Sequence, residues 1–136
     1  MNINGQCLCG AVKLSGDIAD PETHACHCQM CQRWFGGPAL GVAAASIEFS
    51  GNENISTYDS SEWAERGFCN RCGSNLFYRL KAQNQYILFT GTFDDPSPFK
   101  LTGEIFIDSK PDSYDFAGDH KRLTGEEFWQ SLQQPS

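Results

Sequence analysis

Seven cysteines in a chain of 136 residues all fall into three tight clusters, and none lies outside them. Cys7-Leu8-Cys9 is a C-x-C pair, Cys26-His27-Cys28-Gln29-Met30-Cys31 a C-x-C-x-x-C triplet, and Cys69-Asn70-Arg71-Cys72 a C-x-x-C pair. Thiolates one or two residues apart on a turn can both reach one ion at about 2.3 Å. The other uses of cysteine fit poorly. A disulfide inside C-x-C is strained, and an odd count leaves one thiol over from any disulfide framework. Thioredoxin-type chemistry needs a βαβ setting around its C-x-x-C, which is absent here. Inert buried cysteine occurs singly rather than in clusters. The clusters therefore read as metal ligands. Gly10 and Gly73 follow two of them, and glycine permits the left-handed backbone that such turns need. Asn70-Arg71-Cys72-Gly73 reads as a zinc-knuckle turn.

The length suits a single zinc-binding domain over residues 1–136, with 40% hydrophobic and 12% aromatic residues to build a core. A net charge of −7 opposes nucleic acid, which needs basic groups to displace counterions, and opposes an anionic membrane surface. No apolar run approaches the roughly 20 residues of a membrane span. The opening Met-Asn-Ile-Asn-Gly-Gln-Cys has neither the basic nor the apolar part of a secretory leader, so a cytoplasmic, reduced protein is expected. Cysteine clusters in that compartment mean metal or catalysis.

The rest of the chain reads as short strands between turns, a mostly β, antiparallel fold. Strands are expected over Ala11–Ser15, Ala39–Phe49, Ile55–Tyr58 and Glu104–Asp108, with a hairpin of Asn75–Leu80 and Tyr86–Phe93 around Lys81–Asn84. Thr124 with Glu127 three residues on is a capping-box pattern. It predicts a short C-terminal helix over Gly125–Gln133, stopped by Pro135, that lays Phe128 and Leu132 over a sheet edge.

Zinc is the expected metal, with iron–sulfur as the alternative for thiolate sites. A closed structural zinc takes four ligands, so seven divide as four plus three. Cys7, Cys9, Cys69 and Cys72 close one site. Cys26, Cys28 and Cys31 form a second with one position open, the arrangement of catalytic zinc. A rival ribbon would join Cys28/Cys31 to Cys69/Cys72, but their separation exceeds the usual 15–20 or so residues and strands the other three. His24 or His27 could close the open site. In an extended segment His27 points away from the face shared by Cys26 and Cys28, as a solvent-facing or supporting residue, whereas His24 shares that face and stays a candidate. Three thiolates make zinc a weak Lewis acid but a soft one, suited to a fourth sulfur. A substrate thiol held there as thiolate could attack a small carbonyl.

The layout resembles the glutathione-dependent formaldehyde-activating enzymes, a family that also includes centromere protein V. The matching segments are Gly5-Gln6-Cys7-Leu8-Cys9-Gly10-Ala11-Val12, the Cys26–Cys31 triplet, Phe68-Cys69-Asn70-Arg71-Cys72-Gly73-Ser74 and Gly91-Thr92-Phe93-Asp94-Asp95-Pro96. The resemblance implies an Mss4-like fold of β-sheets pinned by zinc. It implies a structural zinc on Cys7, Cys9, Cys69 and Cys72, and a labile catalytic zinc on Cys26, Cys28 and Cys31. The implied activity is that of a carbon–sulfur lyase, forming S-(hydroxymethyl)glutathione from glutathione and formaldehyde. Gln32 stands between the triplet and Arg33, where many relatives carry Arg directly. Pro111-Asp112-Ser113-Tyr114 stands where many carry Pro-Trp.

Arg33 and Arg71 are candidates to meet an anionic thiol such as glutathione. Trp34-Phe35-Gly36-Gly37 reads as core plus a turn, or as a pocket wall. Trp63 and Phe89 read as core, and Asp94, Asp95, Asp112 and Asp115 as loop carboxylates without acid–base pairing. Two other functions remain open: a non-catalytic, zinc-stabilised protein-binding module, and a zinc store or thiol redox sensor.

Overall fold

Short alternating runs become strands nearly everywhere the sequence places them. The computed structural model describes residues 1–133, so Pro135 lies outside the described residues. In chain order the first elements are β1 (Asn2–Gln6), β2 (Lys13–Asp17), β3 (Glu22–Cys26), α1 (Gln29–Phe35), β4 (Ala39–Ala43), β5 (Ser46–Ser50) and β6 (Ile55–Asp59). There follow β7 (Ala64–Cys69), β8 (Asn75–Leu80), β9 (Gln85–Phe89), β10 (Lys100–Ile105), β11 (Lys121–Leu123) and α2 (Gly125–Gln133). The chain is mostly β, with a short C-terminal helix as the sequence suggests.

The contacts divide the chain into two compact units, each built from two separated stretches. The first comprises Met1–Pro21 and Gly41–Phe99. In it β1, β2 and β5 form a three-stranded antiparallel sheet. A second antiparallel run pairs Gly41–Ala43 of β4 with β9, then β9 with β8, β8 with β7 and β7 with β6. Val12, Leu14, Ile18, Leu76, Phe77 and Leu88 are buried at its centre, together with Cys7 and Cys69. Phe89 is buried as expected, but Trp63 is 54% exposed and is no part of the core.

One expected strand, Ala39–Phe49, is two. The Ala44 N–H donates to the Tyr86 carbonyl and the Ala45 N–H to that of Asp17. The backbone thus changes partners between these two residues. A continuous run of small apolar residues carries no mark of such a break.

The second unit comprises Glu22–Leu40 and the chain from Lys100 onward. Its three strands β3, β10 and β11 pair in parallel, with β10 central, rather than antiparallel as the hydropathy pattern suggests. Alternation looks the same in both directions, so it does not encode strand polarity. The expected strand over Glu104–Asp108 stops at Ile105 because Phe106 adopts a left-handed φ of 58°. Its ring packs on Phe128 and Trp129 of α2. The capping box forms as read: the Thr124 N–H donates to Glu127 Oε1 and the Glu127 N–H to Thr124 Oγ1. Leu132 is 62% exposed and covers no edge. No helix among the described residues is long and apolar enough to cross a membrane.

Candidate functional site

Two turns of the first unit repeat one design. In the first, the Cys7 N–H donates to Val12 O (3.0 Å), the Gly10 N–H to Cys7 O (3.2 Å) and the Val12 N–H to Cys7 Sγ (3.3 Å). In the second, the Cys69 N–H donates to Ser74 O (2.9 Å), the Gly73 N–H to Cys69 O (2.8 Å) and the Arg71 N–H to Cys69 Sγ (3.4 Å). Gly10 and Gly73 hold φ near 80°, a left-handed value that only glycine adopts without cost. Ser74 links the turns. Its hydroxyl accepts the Leu8 N–H (2.9 Å), so its proton is free to point at Cys72 Sγ, 3.2 Å away.

These turns bring together the four sulfurs of Cys7, Cys9, Cys69 and Cys72, all within 4.8 Å of one another. Cys7–Cys9 is 3.6 Å and Cys9–Cys69 is 3.8 Å. A tetrahedron of sulfurs about 2.3 Å from a zinc ion has edges of about 3.8 Å, whereas a disulfide needs about 2.05 Å. The thiols titrate unequally. The Ser74 hydroxyl, then its N–H, pulls Cys72 down to about 5. At Cys9 the Ala11 N–H favours the thiolate, but desolvation and the sulfurs of Cys7, Cys72 and Cys69 outweigh it and push the group up to about 11. Close thiols resist ionising together, and a bound cation removes that conflict.

In the second unit, Cys26 ends β3 and Cys28 is the N-cap of α1, with its Sγ accepting the Cys31 N–H at 3.4 Å. N-capping turns a side chain back onto the third helical residue, which is why C-x-x-C spacing brings Cys28 and Cys31 together. Cys26 lies two residues earlier on the extended chain, on the face of Cys28. The three sulfurs lie within 4.8 Å of one another. Cys28 and Cys31, then burial, push the Cys26 thiol far up. Helix α1 itself escapes sequence reading: its seven residues are too few to show a period, and cysteine is not a usual cap.

The structure therefore gathers the cysteines as four plus three, and the ribbon pairing of Cys28/Cys31 with Cys69/Cys72 does not occur. Both groups could hold a metal ion, and their all-thiolate donors suit zinc. Among the described residues no histidine or carboxylate joins either group. His24 is exposed on β3, near Thr102 Oγ1 at 3.4 Å.

Of the two expectations for His27, solvent-facing or supporting, the first does not hold: the residue is fully buried. Its Nε2 lies 2.7 Å from Glu104 Oε1 and its Nδ1 2.9 Å from the Tyr114 hydroxyl. Glu104, also buried, receives His120 Nε2 (2.6 Å) and Arg122 Nε (2.9 Å) on its other oxygen. Burial alone would raise the Glu104 carboxyl, but His120, His27 and Arg122 prevail and hold it below the usual range. Sequence reading missed this group because its members are far apart in the chain and of types that usually lie on the surface.

Among the described residues, Asp94, Asp95, Asp112 and Asp115 join neither sulfur group. Arg33 and Arg71 are exposed. Trp34 and Phe35 are half-buried and meet edge to face at 4.9 Å. Asp95 binds the Ser97 N–H and hydroxyl, and Asp115 pairs with Lys110. Asp94 lines a recess with Gln6, Cys7, Leu8, Ser74 and Gly91, which brings Gly91 and Asp94 of the segment Gly91–Pro96 beside the first cysteine turn.

Comparison with known proteins agrees with this arrangement. Residues 2–109 match the family model described as glutathione-dependent formaldehyde-activating enzyme. An uncharacterised lyase of Schizosaccharomyces pombe is 34% identical over 130 residues, covering 94% of this chain and 95% of the relative. A provisionally named glutathione-dependent formaldehyde-activating enzyme of Halomonas elongata is 29% identical over 89 residues, 57% of this chain and 55% of its own length. A crystal structure of a Rhodobacter sphaeroides protein superposes with a TM-score of 0.60 at 22% identity, over 68% of this chain and 88% of the other, a likeness of fold. The chain belongs to the family of glutathione-dependent formaldehyde-activating enzymes.

Proposed function

We propose that this chain is a zinc-dependent carbon–sulfur lyase-type enzyme that adds a thiol such as glutathione to a small aldehyde such as formaldehyde. One observation carries the reading: Cys26, Cys28 and Cys31 offer three gathered sulfurs where zinc takes four donors, and no fourth protein donor stands with them among the described residues. Cys7, Cys9, Cys69 and Cys72 are the complete, structural set. Zinc on the triplet would supply a soft position that favours the thiolate form of a substrate thiol at neutral pH. The chain's own residues do the rest. The Cys31 N–H stabilises the Cys28 thiolate, and the turn at Cys26–Cys28 fixes the spacing of the donors. Arg33, exposed on α1, offers a cation to an anionic thiol. The reaction forms one S–C bond, and the proton leaving the thiol ends on the carbonyl oxygen, so no redox partner is needed.

The test is exchange NMR with ¹³C-formaldehyde and glutathione, followed with and without the protein. Faster adduct exchange that Cys28→Ser abolishes is the expected result. Equal exchange with and without the protein overturns the reading and favours the non-catalytic binding module.

A further inference from the structure

His27 stands between two sulfur donors and is held at four points. Its N–H donates to Ile105 O at 3.1 Å, and its carbonyl accepts Gln32 Nε2 at 2.7 Å. Its ring is fixed by Glu104 at Nε2 and by Tyr114 at Nδ1. A carboxylate only accepts, so Nε2 carries a proton toward Glu104, while Nδ1 pairs with the Tyr114 hydroxyl. Glu104 is anchored in turn by His120 and Arg122. Gln32 also reaches Ser109 O at 2.8 Å, so the loop after β10 braces the start of α1.

Burying such a network gains little stability over an apolar replacement. What it does supply is a defined geometry, because the ring, its carboxylate and the groups behind the carboxylate are each held by a partner. It sits directly behind the backbone that spaces Cys26 from Cys28. We propose that Glu104, acting through His27, is a positioning residue that holds the three sulfurs ready for the metal. This rests on the reading that the triplet binds a metal.

The experiment is cobalt(II) titration of the full chain, with the thiolate-to-cobalt and d–d bands of the triplet assigned by their loss in Cys28→Ser. In Glu104→Gln the triplet should bind cobalt about 10–100-fold more weakly, the usual effect of losing an outer-shell partner. Its bands should shift while those of the four-cysteine site stay unchanged. Tyr114→Phe, which removes only the hydroxyl at Nδ1, should show the same band shift with a loss of a few-fold. It decides the matter if Glu104→Gln does not fold. Unchanged triplet affinity and bands, or equal weakening of both sites, overturns the proposal. No substrate is present, so a wild-type protein without adduct exchange sinks the lyase reading alone. Cobalt bands of the four-cysteine site alone, with none lost in Cys28→Ser, sink the metal reading and this proposal together.

Discussion

Cys28 serves two ends at once, as sulfur donor and as helix cap, and the two can be separated by substitution. Serine is among the best N-caps, so Cys28→Ser should keep α1 and lose the triplet's metal. Cys28→Ala loses the cap as well, at a further cost of about 1 kcal/mol. Thermal melts should place the alanine variant about 3–5 °C below the serine variant, with adduct exchange absent from both. Equal melting points would mean that the sulfur does not cap the helix. Cys69→Ser differs in kind, because Cys69 is wholly buried in the core of its unit. Its loss should cost several kcal/mol, about the scale of a broken structural site, seen as a melt far below that of Cys28→Ser. The sulfur partition was legible because clustered cysteines have few other uses. His27 was not, because alternation shows that a residue points away from a given face but not what lies on the other side.

The start of helix α2 was readable because its signal is local: Thr124 and Glu127 are three residues apart and their side chains bond each other's backbone. Thr124→Ala should lower the melting temperature by about 3–5 °C, the equivalent of about 1 kcal/mol. Leu132→Gln, at a side chain that is mostly exposed, should stay within about 0.5 kcal/mol of the parent. A large loss at Leu132 would show that this face packs against something in solution. Other elements depend on distant partners. The change of sheet between Ala44 and Ala45 is set by Tyr86 and Asp17, and the parallel pairing of β10 by β3 and β11. Neither leaves a mark in a local hydrophobic pattern.

Each unit carries its own sulfur group, and the groups are embedded differently. Cys7 and Cys69 belong to the core cluster of the first unit, packed with Val12, Leu76 and Phe93. A metal there ties two turns sixty residues apart in sequence to that core, so its binding energy is also folding energy. The triplet spans only Cys26 to Cys31, within one turn and the start of α1. Its loop keeps other anchors in Glu104, Ile105 and Gln32. Metal removal should therefore proceed in two stages under increasing chelator. The first stage should take one ion per chain, abolish adduct exchange and leave the far-ultraviolet circular dichroism unchanged. The second should coincide with loss of near-ultraviolet signal and of cooperative melting. Readdition of zinc after the first stage alone should restore full exchange, since the braced loop needs no refolding. Release of both ions in one step together with unfolding would place the triplet among the groups that hold the fold, and would remove the ground for assigning the chemistry to it.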